Sequence, residues 1–99
     1  FQTYFCGADI KTLDVSRCPE LDICEWYDIP LESVDFSNNW NLYALRFSGT
    51  HLKELDLSTN RKLGHLNSVN NADLQVIWLW EGIKLESLEV DPHTQIKYK

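Results

Sequence analysis

Three aspartates recur at intervals of 21 residues, and each precedes a serine by two positions. Asp14, Asp35 and Asp56 could therefore form a row of carboxylates, a group that holds cations in proteins. Paired carboxylates can also divide acid and base catalysis between them, but that work needs a cleft, and a regular surface row offers none. Two interpretations are therefore possible: a cation site, or a row of solvent-exposed carboxylates without a ligand. We favour the solvent-exposed row, and we predict no metal and no cofactor.

The cysteines and histidines suggest two other kinds of chemistry. Cys6, Cys18 and Cys24 lack CxxC spacing and are odd in number, so they predict neither a zinc site nor a disulfide scaffold. Free buried thiols and a Cys18–Cys24 bridge both stay open. No nucleophile motif and no glycine-rich phosphate loop accompanies the histidines, which are His51, His65 and His93. We therefore predict that the chain is not an enzyme.

Two tryptophans, Trp78 and Trp80, alternate with Ile77 and Leu79 in the stretch VIWLW. Alternate residues of a strand face opposite sides, so both indoles should point outward if the aliphatic residues point into a core. Exposed indoles on one strand are typical of interaction surfaces. The alternative is that residues 96–99, which include Tyr98, cover them.

These spacings follow from a unit of 10 or 11 residues that tiles residues 10–95 without a gap. The eight units begin at Ile10, Leu21, Leu31, Leu42, Leu52, Leu63, Leu74 and Leu85, and a ninth would begin at Ile96. Positions 1, 4 and 6 of the units are apolar almost throughout, and Ser68 is the plainly polar exception. Because positions 4 and 6 alternate with polar residues, each unit is predicted to hold one short strand with one buried face.

A single unit cannot bury its apolar edge, whereas stacked coils can, with equivalent leucines about 4.8 Å apart. We therefore predict an all-β solenoid of about four coils, with parallel strands in two stacks joined by short turns. Position 9, where the chain turns, often carries asparagine, as at Asn39, Asn60 and Asn71. Its amide is expected to bond buried backbone groups of its own coil and of the next.

The pattern LxxLxLxxN resembles the leucine-rich repeat, especially the short bacterial subclass whose 21–22-residue repeats also contain LxxLDLxxN. The segments TLDVS, SVDFS and ELDLS, at residues 12–16, 33–37 and 54–58, match this second half. The departures are Ser68 in a core position, Trp26 at position 6, Ile29 and Gly82 at position 9, and the VIWLW unit. The resemblance implies a β-solenoid that recognises proteins, located outside the cell or at the bacterial surface.

Three segments are predicted along the chain. Residues 1–9 are an N-terminal cap or the remnant of an earlier coil with Phe5 at position 6, residues 10–95 hold the leucine-rich repeats, and residues 96–99 form a C-terminal cap. Because the sequence begins with Phe1, we expect a piece of a longer or processed protein.

The net charge of −6 argues against nucleic acid as a partner, and no apolar run approaches the length of a membrane helix. We predict a non-enzymatic module that binds a protein partner. A glycan stacked on the tryptophans, self-association through them, and a spacer role in a longer surface protein are the alternatives. Outward residues at equivalent positions of alternate units form columns along a stack. The aspartate column ends in Trp78 and the serine column in Trp80, both on the same predicted strand. This change indicates the candidate surface, which comprises Trp78, Trp80, Asp56, Ser58 and Glu54.

Overall fold

The computed structural model describes residues 2–6, 12–13, 15–16 and 18–99. These residues form ten short strands and no helix. The strands are β1 (Gln2–Cys6), β2 (Thr12–Leu13), β3 (Ile23–Tyr27), β4 (Ser33–Val34), β5 (Ala44–Ser48), β6 (Glu54–Leu57), β7 (His65–Ser68), β8 (Val76–Leu79), β9 (Ser87–Val90) and β10 (Gln95–Tyr98).

The strands wind into a parallel β-solenoid of about four coils. The odd-numbered strands form one five-stranded sheet in the order β1-β3-β5-β7-β9. The even-numbered strands form two shorter ladders, β2-β4 and β10-β8-β6. Every pairing is parallel and joins strands one coil apart, as where Leu45 lies opposite Leu66. The predicted all-β solenoid is therefore confirmed.

Alternation along each strand separates a core face from an outer face, as β6 shows with its exposed, buried, exposed, buried sequence. Five position-4 side chains of successive coils are almost inaccessible to solvent. Their exposed fractions are 0% at Cys24, 0% at Leu45 and 1% at Leu66 in one sheet, and 2% at Leu55 and 0% at Ile77 in the other. These side chains form one continuous core.

Position 6 contains an aromatic cluster, which explains why tryptophan is tolerated there. The ring of Trp26 stacks on that of Phe47, with centroids 4.7 Å apart, and on that of Phe36 at 6.2 Å. Ser68 occupies the same position one coil after Phe47 and is fully buried. Its Oγ has no hydrogen-bond partner among the described residues.

Position-9 asparagines tie successive coils together, but the Asn39 and Asn60 amides reach the preceding coil and not the next one. The Asn39 Nδ2 donates to the carbonyls of Val15 and Cys18, each at 2.9 Å. The Asn60 Nδ2 donates to the carbonyls of Phe36 and Asn39, each at 3.0 Å. These amides satisfy carbonyl groups that the turns remove from the strand ladders.

The cysteines at positions 18 and 24 are both free thiols. Cys24 is completely buried, and this burial raises the pKa of its thiol to about 12. Because the thiolate is the reactive form, Cys24 acts as a small apolar core residue.

The two ends of the chain both pair with the solenoid. In β1, Phe5 lies opposite Trp26, the register expected of an earlier coil, while Phe1 and residues 7–9 lie outside the described part. In β10, Ile96 lies opposite Ile77 and so occupies position 4 of its unit. The expectation that a unit begins at Ile96 is wrong by three residues, because a short turn follows β9. The division into segments 1–9, 10–95 and 96–99 stays a prediction.

Candidate functional site

The outer face of β6, β8 and β10 carries the central residues of the predicted surface. The register places Asp56 opposite Trp78, and Trp78 opposite Lys97. We call this surface the Trp78 face and define it as Glu54, Asp56, Trp78, Lys97 and Lys99. It lies on regular strands of the solenoid, so the backbone that positions these side chains is fixed by ladder pairing.

Four charged side chains surround the half-buried indole of Trp78. Its Nε1 donates a hydrogen bond to the Glu54 carboxylate. The ammonium nitrogens of Lys97 and Lys99 lie 5.6 Å and 4.8 Å from the ring centroid, within the range of cation–π attraction. The Lys99 Nζ also lies 2.9 Å from a carboxylate oxygen of Asp56. The indole is therefore held in one orientation before any partner arrives.

The aspartates of the repeated Asp-x-Ser segments close the turns after their strands. The Ser58 N–H and hydroxyl donate to Asp56 Oδ1 at 2.9 Å and 2.6 Å, and the Ser37 N–H donates to Asp35 at 2.8 Å. Burial raises the pKa of Asp56, but the bonds from Ser58 and the charge of Lys99 outweigh it and hold the pKa below its usual range. Asp14 lies outside the described residues. The serine hydroxyl and the carboxylate thus already have partners within the chain.

Trp80 has different surroundings from Trp78, because it follows the last residue of β8 and lies where the chain turns. The guanidinium carbon of Arg61 lies 5.3 Å from the centroid of its ring. Gly82 is so near that a Cβ there would stand 2.9 Å from the indole Cζ3. The predicted pair is therefore divided: Trp78 belongs to the strand face, and Trp80 packs into the adjacent turns.

The most exposed tryptophan, Trp40, was not singled out by the sequence analysis. It is 68% exposed on the turn after β4, and its Nε1 donates to the Ser37 carbonyl at 3.0 Å. It follows a position-9 asparagine, where the other units mostly have small or polar residues. The aromatic residue at position 10 of this unit was the sequence signal that could have identified Trp40.

A polar cluster across three coils was also missed. The Tyr43 hydroxyl donates to Glu86 at 2.9 Å, and the His65 Nε2 lies 3.0 Å from the same carboxylate. The His65 Nδ1 lies 2.7 Å from the Ser87 hydroxyl. The hydrogen bond to Glu86 raises the pKa of Tyr43. Units taken singly cannot reveal this cluster, because each coil contributes only one or two of its members.

No protein-family model, curated protein or solved structure matches this chain. Among the described residues, no three His, Cys, Asp or Glu side chains gather as they would around a metal ion. The same part of the chain has no helix with the length and apolar character needed to span a membrane.

Proposed function

We propose that this chain is a non-enzymatic recognition module that binds a protein partner through the Trp78 face. The observation that carries the proposal is the half-buried indole of Trp78 within a rim of charged side chains. Interfaces between proteins commonly combine a central aromatic anchor with a polar rim, and tryptophan is enriched among the residues that dominate binding energy. A partner that covers the rim would complete the burial of the indole.

We favour a protein over a glycan at this face because of the lysines. A sugar ring stacks on an open aromatic face, whereas the Lys97 and Lys99 ammonium groups lie 5.6 Å and 4.8 Å from the centre of the Trp78 ring. A protein can approach with carboxylates that pair with these lysines and leave the cation–π contacts in place. The ring of Trp80 is already in contact with Arg61 and Gly82, so it does not supply a second aromatic face for a sugar ring.

The same proposal includes membership of the short leucine-rich-repeat class and a location at the bacterial surface or outside the cell. Its support is the LxxLxLxxN pattern together with the buried asparagines that join neighbouring coils. A spacer role in a longer surface protein would require no partner at the Trp78 face, so the same experiment separates the two functions.

The test compares Trp78→Ala with Trp40→Ala, which removes an exposed indole from a turn outside the Trp78 face. Each variant and the wild type are immobilised and exposed to surface and secreted proteins of the source organism. A protein retained by wild type is identified, purified and titrated against all three chains. We expect Trp78→Ala to weaken its binding by at least about tenfold, as anchor residues do, and Trp40→Ala to change it by less than about twofold.

Circular dichroism and thermal unfolding must first show that both variants fold. Equal affinity of both variants for the purified partner would contradict the proposed face. Sedimentation of the three chains checks self-association: a wild-type dimer that Trp78→Ala turns into a monomer makes a second copy the partner. Binding to neutral oligosaccharides that Trp78→Ala abolishes would replace the protein partner with a glycan.

A further inference from the structure

A second concave surface lies beside the turns that follow β6 and β8, apart from the Trp78 face. It encloses about 410 Å³, and its lining includes Tyr43, Arg61, Lys62, Trp80, Ile83 and Lys84. We call it the turn groove. Arg61 and Ile83 take position 10 of their units, and Lys62 and Lys84 take position 11, so successive coils present the same two columns to it.

The charge of the turn groove is opposite to that of the chain. Three of the nine Lys and Arg residues line it, although the net charge of the protein is −6. Two cations outside the groove have carboxylate partners: Arg46 pairs with Glu25 at 2.9 Å, and Lys99 pairs with Asp56 at 2.9 Å. Lys62 donates to the neutral Asn41 amide oxygen at 2.9 Å.

No carboxylate forms an ion pair with the three groove cations within residues 18–99. Glu86 is the acidic residue of the lining, and it already accepts a hydrogen bond from Tyr43 and lies 3.0 Å from the His65 ring nitrogen. The cations of the groove therefore remain available to an anionic ligand, and a groove with a net positive charge attracts anions from a distance.

The aromatic residues of the groove contact other groups of the chain. These contacts help to decide whether the anion is an acidic sugar, which would stack on an aromatic ring, or an acidic peptide. The Trp80 ring is faced by Arg61 and contacts Gly82. Gly64 leaves so little space that a Cβ there would lie 2.7 Å from Tyr43 Cε1. The Trp80 ring therefore does not offer an open face on which a sugar would stack, and the Tyr43 ring, although 40% exposed, is in contact with Gly64. What remains is a set of cations beside the half-buried aliphatic side chain of Ile83.

We propose that the turn groove binds an acidic peptide segment of a partner protein. Carboxylates of the segment pair with Arg61, Lys62 and Lys84, and an apolar residue between them contacts Ile83. Arginine can hold a carboxylate through two parallel hydrogen bonds, which gives the site geometric selectivity as well as charge. This site is separate from the Trp78 face and does not depend on it.

The probe is a fluorescein-labelled peptide of about twelve residues built from Asp-Glu-Leu repeats, and its binding is followed by fluorescence anisotropy at about 20 mM and 200 mM salt. The neutral control peptide has Asn-Gln-Leu repeats. We expect the wild type to bind the acidic peptide, to bind it more weakly at the higher salt concentration, and to ignore the neutral one. The double variant Arg61→Gln/Lys84→Gln should weaken binding by at least about tenfold.

The matched pair is Lys84→Gln, which removes one groove cation and should weaken binding by at least about threefold, and Lys53→Gln, which removes one positive charge from outside both the groove and the Trp78 face and should have less than half that effect. Lys62→Gln/Lys84→Gln is a second groove variant that leaves the Arg61–Trp80 contact intact, in case loss of that contact disturbs folding. An equal loss in the groove and control variants would overturn the proposal, because it would indicate general charge attraction. So would the absence of wild-type binding at low salt, or a preference for oligogalacturonate over the acidic peptide.

Discussion

At the scale of single residues, Asn60 shows how one side chain joins two coils. Its amide is fully buried and donates to the carbonyls of Phe36 and Asn39, which belong to the preceding coil. Removal of the amide would take away one hydrogen bond from each of these carbonyls, which would keep only the backbone N–H donors of Asn39 and Leu42. Each hydrogen bond of this kind contributes about 0.5–1.5 kcal/mol to stability, so the loss of both bonds has a measurable cost.

Asn60→Ala is therefore expected to lower the free energy of unfolding by about 1–3 kcal/mol. The matched control is Asn38→Ala, an exposed turn residue one coil earlier, with an expected change of under about 0.5 kcal/mol. Urea denaturation of both variants measures the difference. A loss below about 1 kcal/mol in Asn60→Ala would contradict the role of position 9 as the tie between coils.

At the scale of elements, neighbouring strands and turns are fitted to each other across coils. The Tyr43 side chain passes over Gly64 to reach Glu86, where its hydroxyl donates at 2.9 Å. A Cβ at residue 64 would stand 2.7 Å from Tyr43 Cε1, closer than van der Waals contact permits. The glycine is thus needed for space, because a long side chain from one coil crosses the next.

A double-mutant cycle tests this fit. Gly64→Ala should destabilise the wild type by about 1–3 kcal/mol, the cost of an inserted group that forces its neighbours to move. In a Tyr43→Ala background the same change should cost at least about 1 kcal/mol less, since the obstructing ring is gone. Thermal unfolding of the four chains gives both values. The same cost in both backgrounds would mean that the strain comes from the backbone and not from Tyr43.

The edge strand β9 shows what a neighbouring coil contributes. Leu66 of β7 is 1% exposed, whereas Leu88 takes the equivalent position in β9 and is 43% exposed. The difference arises because β9 is the last strand of its sheet within the described residues. Burial at position 4 thus depends on the coil that follows as much as on the residue, as expected where repeats contact only their neighbours.

At the scale of the whole molecule, carboxylates that close turns make stability depend on pH. Burial raises the pKa of Asp91, but hydrogen bonds from the Asn71 and Asn70 N–H groups outweigh it and hold the pKa below its usual range. Bonds from Ser37 lower the pKa of Asp35 in the same way. A carboxylate whose pKa is lower in the folded state stabilises the fold above its unfolded pKa of about 4, and this contribution disappears as the pH falls through the folded pKa.

The free energy of unfolding should therefore change little between pH 7 and about pH 5 and then decrease as the pH falls further. Asp91→Asn should make this decrease shallower, because the variant has one fewer group that takes up a proton on unfolding. Urea denaturation at a series of pH values measures both curves. Identical slopes below about pH 4 in wild type and Asp91→Asn would contradict the contribution of Asp91.

The sequence predicted the parts of the molecule that repeat. Period-two alternation identified Leu55 and Ile77 as core residues and placed Trp78 outside, because a strand leaves only two directions for a side chain. The position of Trp80 was not predictable in this way, since it follows the strand end and depends on the turn and on Arg61. The eight-residue step from Leu88 to Ile96 was missed for a similar reason: the turn between Asp91 and Thr94 is shorter than the repeat implies.

Both proposed binding surfaces depend on the division of each strand into an inward and an outward face, and one comparison on β6 tests that division most directly. Leu55 is 2% exposed, and its neighbour Asp56 is exposed and paired with Lys99. Urea denaturation should show that Leu55→Ala loses about 2–5 kcal/mol and that Asp56→Ala loses less than about 1 kcal/mol, the range of a surface ion pair. Equal losses, or a larger loss in Asp56→Ala, would contradict the register and exchange the two faces.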